Sequence, residues 1–143
     1  MIQQYIVDAS VGVKWLNQTR ENHADKAMAL LNVAKAKQCE LISSNLLLYE
    51  ICNVLIRGKR LCQIELWSAI HDFFSLPLRL AVTDEDLALE TARLAEEYSM
   101  TFYDAIYVAL AIEHQAILIT ENTKDQARVG GHIVRHIKDF PFS

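Results

Sequence analysis

Three carboxylates and one polar cluster carry the chemistry that this chain can do. Asp8 ends the short apolar run Tyr5-Ile6-Val7. Glu50 interrupts the apolar stretch LLLYEICNVLI, where Leu46, Leu47 and Val54 are its neighbours at helical spacing and Asn53 is the one polar neighbour. Asp104 falls in the first turn of a helix that opens near Thr101, and the strand Ala116 to Thr120 runs into Glu121 and Asn122. In parallel α/β folds, ligands bind at the carboxyl ends of strands. A carboxylate at a helix start and polar side chains at a strand end therefore predict a site, to which the rest of the chain brings Asp8 and Glu50. Carboxylates gathered in one place repel each other unless a cation joins them. Oxygen ligands without His or Cys favour Mg²⁺ or Mn²⁺, which usually act on phosphates. Such an ion lowers the pKa of a bound water and neutralises charge developing on a phosphodiester.

Each acid also has an ordinary structural explanation. Asp8 is placed to be a turn residue or a helix cap. A glutamate in a helix is usually a solvated residue, but one beside an apolar face needs a partner, since burying it alone is costly. Thr101-Phe-Tyr-Asp104 resembles a capping box with Asp in place of Glu, and the helix dipole favours an anion there. These explanations leave open why three acids should each sit at a strand end or on an otherwise apolar helix. Tyr103 and Tyr107, on either side of Asp104, fit core or rim positions. The run with Lys124, Arg128, His132, Arg135, His136 and Lys138 is locally basic: a solvated surface, or beside an acidic site a holder of nucleic-acid phosphates.

The elements that must position these residues alternate between strand and helix. Tyr5 to Val7 reads as a buried strand, followed by a helix capped by Ser10 and running through Val13, Trp15 and Leu16. A second helix starts at Asn22 or His23, with Ala27, Leu30, Leu31 and Ala34 on one face. Leu41-Ile42 is the core of a second strand. Asn45 is expected to cap a third helix from Leu46 to about Arg60, with Arg57, Lys59 and Arg60 at its C-terminus. A fourth helix is expected over Ile64 to Phe74 and a third strand over Leu78 to Val82. A fifth helix is capped by Thr83 or Asp84. The Asp104 helix and the Ala116 strand come next, then a short helix Thr123 to Val129, a Gly130-Gly131 turn and an edge strand Ile133 to Ile137. Alternating strands and helices predict a parallel sheet covered on both faces, in one domain spanning 1–143.

Composition agrees with an ordinary globular domain. Hydrophobic residues make up 52% and charged residues 22% of the 143. The net charge of −4 argues against a broad basic nucleic-acid surface, though not against a small acidic site with basic flanks. Three cysteines without CxxC or His/Cys spacing argue against disulfides and zinc and point to a reducing cytoplasm. No apolar stretch reaches the roughly 20 residues of a membrane helix, and the start has no basic n-region.

IVDASVGVKW, SSNLLLYEICNVLIR, MTFYDAIYVALA and AILITEN together closely resemble the PIN domain, in particular the VapC-like toxins of toxin–antitoxin pairs. The similarity covers almost the whole chain, in the right order and spacing. It implies a three-layer α/β/α sandwich around a parallel sheet of about five strands, ordered 3-2-1-4-5. It also implies a Mg²⁺- or Mn²⁺-dependent endoribonuclease, usually a homodimer, inhibited by an antitoxin. The family's acidic residues match Asp8, Glu50 and Asp104, and Ser10 matches a small polar position; Thr120 and Glu121 are auxiliary polar candidates. Two departures stand out. Ser44 replaces a frequent proline before the Glu50 helix. Where the family usually has Asp two residues after the strand-ending threonine, this chain has Asn122, with Glu121 before it and Asp125 three residues on, so the fourth acid is missing, conservatively replaced by Asn122, or displaced to Asp125.

Phosphatases of the haloacid dehalogenase type need a second Asp where this chain has Ser10, and receiver domains need paired acids after the first strand. The alternative kept open is a catalytically weak PIN-like module that binds RNA or protein.

Overall fold

Strand residues alternate between two apolar environments, and that alternation builds the layers. In the computed structural model, which describes residues 2–142, Ile6, Ile42 and Leu118 face one core, and Val7, Leu41 and Ile119 face the other. Side chains along a strand point to opposite faces in turn, so a strand apolar at both parities must be covered on both sides. The elements in chain order are β1 (Gln3–Val7), α1 (Ala9–Leu16), α2 (Ala24–Lys35), β2 (Cys39–Ser44), α3 (Leu47–Asn53), α4 (Gln63–Phe73), β3 (Leu78–Ala81), α5 (Glu85–Tyr98), α6 (Phe102–Glu113), β4 (Ile117–Thr120), α7 (Thr123–Gln126) and β5 (Val134–His136). The five strands are parallel in the order β3-β2-β1-β4-β5, as the resemblance implies.

Helices α5 and α6 supply the core on one face, and α1 and α2 that on the other. Every residue of α6 from Ala105 to Ala111 is buried, as expected for a helix apolar all round. A third cluster joins α1, α3 and α4 through Val13, Leu47, Ile51, Leu55 and Phe73. Gly12 permits this: a Cβ there would stand 2.8 Å from Cδ1 of buried Ile51. The glycine lets α1 approach the helix that carries Glu50.

Three local expectations are corrected. Ser10 does not cap α1; Asp8 does, from an extended backbone, with its carboxylate accepting the Ser10 N–H at 3.1 Å. Asn45 does not cap the Glu50 helix: Ser44 Oγ takes the Leu46 N–H at 3.0 Å, while Asn45 Oδ1 faces Thr83 Oγ1. That helix is not one α-helix to Arg60. After Asn53 it widens into a π-helix over Val54–Gly58, with Lys59 N–H donating to Val54 O at 2.9 Å. The extra residue in the turn delivers Lys59 to the α1–α2 loop, where Nζ bonds Asn17 O and Oδ1 and pairs with Glu21 at 2.9 Å. Single π turns of this kind recur at functional sites.

Candidate active site

The register of the sheet brings the first two parts of the site together. β1 and β4 are neighbours, with Val7 opposite Ile119, so the residues that follow, Asp8 and Thr120, lie side by side. Thr120 Oγ1 donates to Asp8 Oδ2 at 2.6 Å. Ser10 Oγ donates to Asp8 Oδ1 at 2.6 Å and accepts the Glu121 N–H at 2.9 Å. Asn122 N–H in turn donates to Thr120 Oγ1 at 3.1 Å. Both oxygens of Asp8 are therefore held by hydroxyls, and those hydroxyls by the backbone leaving β4. Ser10 and Thr120, the auxiliary polar candidates, do touch the first acid. Burial pushes the Asp8 carboxyl above its ordinary range, against the bonds from Ser10 and Thr120 that favour the anion.

Glu50 comes to the site from α3. It is half-buried on a groove of about 400 Å³ with Ala9, Leu46, Tyr49, Asn53, Val54 and Tyr103. Its Oε1 accepts a 2.6 Å hydrogen bond from the Tyr107 hydroxyl. Burial raises the Glu50 pKa, and the negative charges of Asp8 and Asp104 raise it further; the Tyr107 bond works the other way. Tyr107 itself is buried and its pKa is pushed far up by burial, then by Glu50, with Asp8 and Asp104 adding to the effect. The charges of Asp8 and Asp104 thus both act on Glu50. Asp104 stands in the first turn of α6, its N–H donating to Thr101 Oγ at 3.1 Å. The reciprocal half of a capping box is missing: its carboxylate does not reach back to Thr101, and among the described residues it takes no hydrogen bond.

The remaining candidates are placed elsewhere. The Glu121 side chain turns to Lys14, whose Nζ lies 3.0 Å from its Oε1. Asn122 is exposed at the start of α7 and its side chain makes no cap. Asp125, one turn on, makes a long 3.5 Å contact with Arg128. Gln126 of the same turn is buried, donates through Nε2 to Asp104 O at 3.1 Å and has Oε1 without a partner among the described residues.

Whether these residues suit a divalent cation is a question of donors and of spacing. The donors suit it: the charges of Asp8 and Asp104 raise the proton affinity of Glu50, and none of the three forms an ion pair among the described residues. The spacing is open. Among the described residues, no group of three or more Asp, Glu, His or Cys side chains is close enough to hold an ion as it stands. Mg²⁺ binds through one or two carboxylates and keeps several waters, so an open set fits it better than a closed cage would.

Two residues of the site are invisible to motif reasoning, although each left a signal. Tyr107 is a core or rim residue on sequence, yet a phenol inside the run AIYVALA must find an acceptor when buried. Lys14, in SVGVKWL, is a lysine among apolar helix residues, which requires a buried anion. It is fully buried, bonding Glu21 Oε1 at 2.9 Å, Asn22 O at 2.6 Å and Glu121.

The sequence matches a known family. The sequence profile of the PIN domain matches residues 5–132, and the chain belongs to that family. No curated protein matches it by sequence. Solved structures match over nearly the full length. VapBC2 from Rickettsia felis, bound to a DNA fragment from its promoter, has a TM-score of 0.70 at 20% identity, covering 94% of this chain and 98% of that one. DNA-bound VapBC from Salmonella typhimurium gives 0.69 at 15%, covering 96% and 99%. VapC20 from Mycobacterium tuberculosis, a toxin that cleaves the sarcin–ricin loop, gives 0.67 at 18%, covering 88% and 95%. At these identities the likeness is one of fold. No helix among the described residues is long and apolar enough to cross a membrane.

Proposed function

We propose that this protein is a Mg²⁺- or Mn²⁺-dependent endoribonuclease and the toxin of a toxin–antitoxin pair. What supports the reading is that the charges of Asp8 and Asp104 both act on Glu50, at the carboxyl end of a parallel sheet, while none of the three acids pairs with a Lys or Arg among the described residues. Glu50 Oε2, Asp104 and the Asp8 oxygens are the groups that would hold the ion, with Asn122 or Asp125 as an outer ligand. A divalent cation there supplies a more acidic water and neutralises charge on a phosphodiester. The chain's own residues do the rest. Ser10 and Thr120 fix the Asp8 carboxylate in one orientation. Tyr107 fixes Glu50. The groove beside Glu50 opens to solvent past Tyr49 and Tyr103, which are mostly exposed and offer stacking faces to unpaired bases. Single-stranded RNA is therefore the expected substrate.

The partners follow from the same reading. Similar folds were solved as toxin–antitoxin complexes, and the apolar rim of the Glu50 groove suits a covering segment. A cognate antitoxin, a homodimer and a cytoplasmic location are expected. Asn122 favours a second reading, a catalytically weak PIN module that acts by binding RNA or protein, because it adds no charge to the site. A nuclease assay with and without Mn²⁺ separates the two. Asp104→Asn should lose at least about a hundredfold in cleavage, the scale of removing one electrostatic stabiliser of the transition state. It should keep its thermal midpoint, since its backbone N–H still reaches Thr101. Parental activity in that variant, or metal-independent cleavage by the parent, refutes the reading.

A further inference from the structure

The Asp8 carboxylate is held by a chain of contacts that ends on a residue outside the site. Ser10 Oγ accepts the Glu121 N–H at 2.9 Å, and Thr120 Oγ1 accepts the Asn122 N–H at 3.1 Å. A hydroxyl has one proton to donate. With a backbone N–H on its acceptor side, each hydroxyl turns that proton to Asp8, Ser10 to Oδ1 and Thr120 to Oδ2, both at 2.6 Å. The orientation of Asp8 therefore depends on where residues 121 and 122 stand. β4 ends at Thr120, so the ladder of the sheet does not reach them.

Lys14 is what holds Glu121. An ammonium has three protons, and Lys14 Nζ has three acceptors: Glu21 Oε1 at 2.9 Å, Asn22 O at 2.6 Å and Glu121 Oε1 at 3.0 Å. The side chain is fully buried in α1, the helix that Asp8 caps. Glu21 is gripped in turn by Lys59, at 2.9 Å. As a stabiliser alone such a network is a poor device, because a buried ion pair is often no better than apolar residues of the same volume. A fixed point for Glu121 is something that apolar packing does not supply. We infer that Lys14 is a positioning residue for Asp8. Through Glu121 it fixes the chain leaving β4, and that chain aims the two hydroxyls at the carboxylate. The inference rests on the nuclease reading for its effect on cleavage and adds to it a determinant outside the three acids.

The test has two readouts on the full chain. The first is amide hydrogen exchange at Glu121 and Asn122 in metal-free buffer. Lys14→Met and Glu121→Ala are compared with the parent and with Leu94→Ala, a core truncation in α5 that weakens the fold without touching these contacts. Both should speed exchange at the two amides about tenfold beyond Leu94→Ala, the scale of one hydrogen bond to a charged group. The second is cleavage of a single-stranded RNA oligonucleotide with Mn²⁺, well below the thermal midpoint. Lys14→Met should lower kcat about ten- to a hundredfold, the scale of misplacing a reacting group by about an ångström. KM should stay within about twofold, since uniform binding is untouched. Glu121→Ala should reproduce the loss, and the double variant should lose no more than the worse single one, because both cut the same link. Exchange at the two amides no faster than in Leu94→Ala, a fall in kcat no larger than in Leu94→Ala, a change confined to KM, or losses that multiply in the double variant overturns the inference. A parent without Mn²⁺-dependent cleavage overturns the nuclease reading, and exchange at Glu121 and Asn122 then decides the inference alone. Should Lys14→Met fail to fold, Glu121→Ala, on a partly exposed side chain, carries both measurements.

Discussion

Replacing Lys14 by methionine tests the ionic framework beneath the site. Lys14 Nζ is fully buried and lies 2.9 Å from Glu21 Oε1 and 3.0 Å from Glu121 Oε1. At that separation and an effective dielectric of about 20, each pair contributes roughly 5–6 kcal/mol before desolvation. Taking the ammonium and its partners out of water cancels much of this, so the net worth of the pairs is small. Removing one partner is a different perturbation, because the desolvated anions remain; such changes cost about 3–5 kcal/mol. Two features place Lys14→Met at the low end. Glu21 keeps Lys59 at 2.9 Å, and the Glu121 side chain is 32% exposed and can rehydrate. Methionine also fills the volume of the lysine stem. The expected loss is about 3 kcal/mol, out of a typical total of roughly 5–15.

For a chain of this size, that loss lowers the thermal midpoint by about 10 °C. Urea unfolding followed by circular dichroism, at neutral pH in metal-free buffer, should show a lower midpoint concentration at an unchanged slope. Adding Glu121→Gln to Lys14→Met should recover about 1 kcal/mol by removing one orphaned charge. A loss below about 1 kcal/mol would mean that the network behaves like an exposed surface pair, and the reasoning from burial would be wrong.

Asn122→Asp should tighten Mn²⁺ binding several-fold and raise the cleavage rate, since it adds a charge beside Thr120 where only a neutral amide now stands. Lower activity in calorimetry-matched assays would show that the amide has a positive role. His136 gives a pH prediction with a definite sign. Burial lowers its pKa below 6.5, with Lys138 and His23 adding to that and Glu121 and Asp139 opposing it. Its Nδ1 accepts the Lys138 N–H at 3.0 Å, which needs the neutral ring. As pH falls through 6.5, the unfolded chain takes up this proton first, so stability present above 6.5 is lost as pH drops toward the folded-state pKa. His136→Asn, which retains an acceptor, should flatten the stability curve between about pH 6.5 and 5; an unchanged slope would rule out His136 as its source.

The parts legible in the sequence are those written in local periodicity. Ile6-Val7, Leu41-Ile42 and Leu118-Ile119 are apolar at both parities, which already says that helices cover both faces. Asp8, Glu50 and Asp104 stand out because each breaks an apolar pattern at an element's end or on a largely apolar helix. Local signals fail where polar groups compete for the same backbone donor. Ser10, Asn45 and Ser44 are all acceptable caps by residue type, and only the path of the chain decides which oxygen faces the N–H. The π turn after Asn53 is equally silent, because VLIRG favours a helix without specifying five residues per hydrogen-bonded ring or six.

Partners far apart in sequence are the least legible. The Tyr107–Glu50 bond spans 57 residues and the Lys14–Glu121 pair spans 107. A phenol or an ammonium in an apolar run announces that a partner exists, because leaving it unpaired is too costly. It does not announce which partner. Glu121 shows the consequence. By position it belongs with the site acids, since it follows the strand-ending Thr120. The buried Lys14 turns its carboxylate away, and only its backbone N–H serves the site, through Ser10. The position after that threonine is therefore a support in this chain.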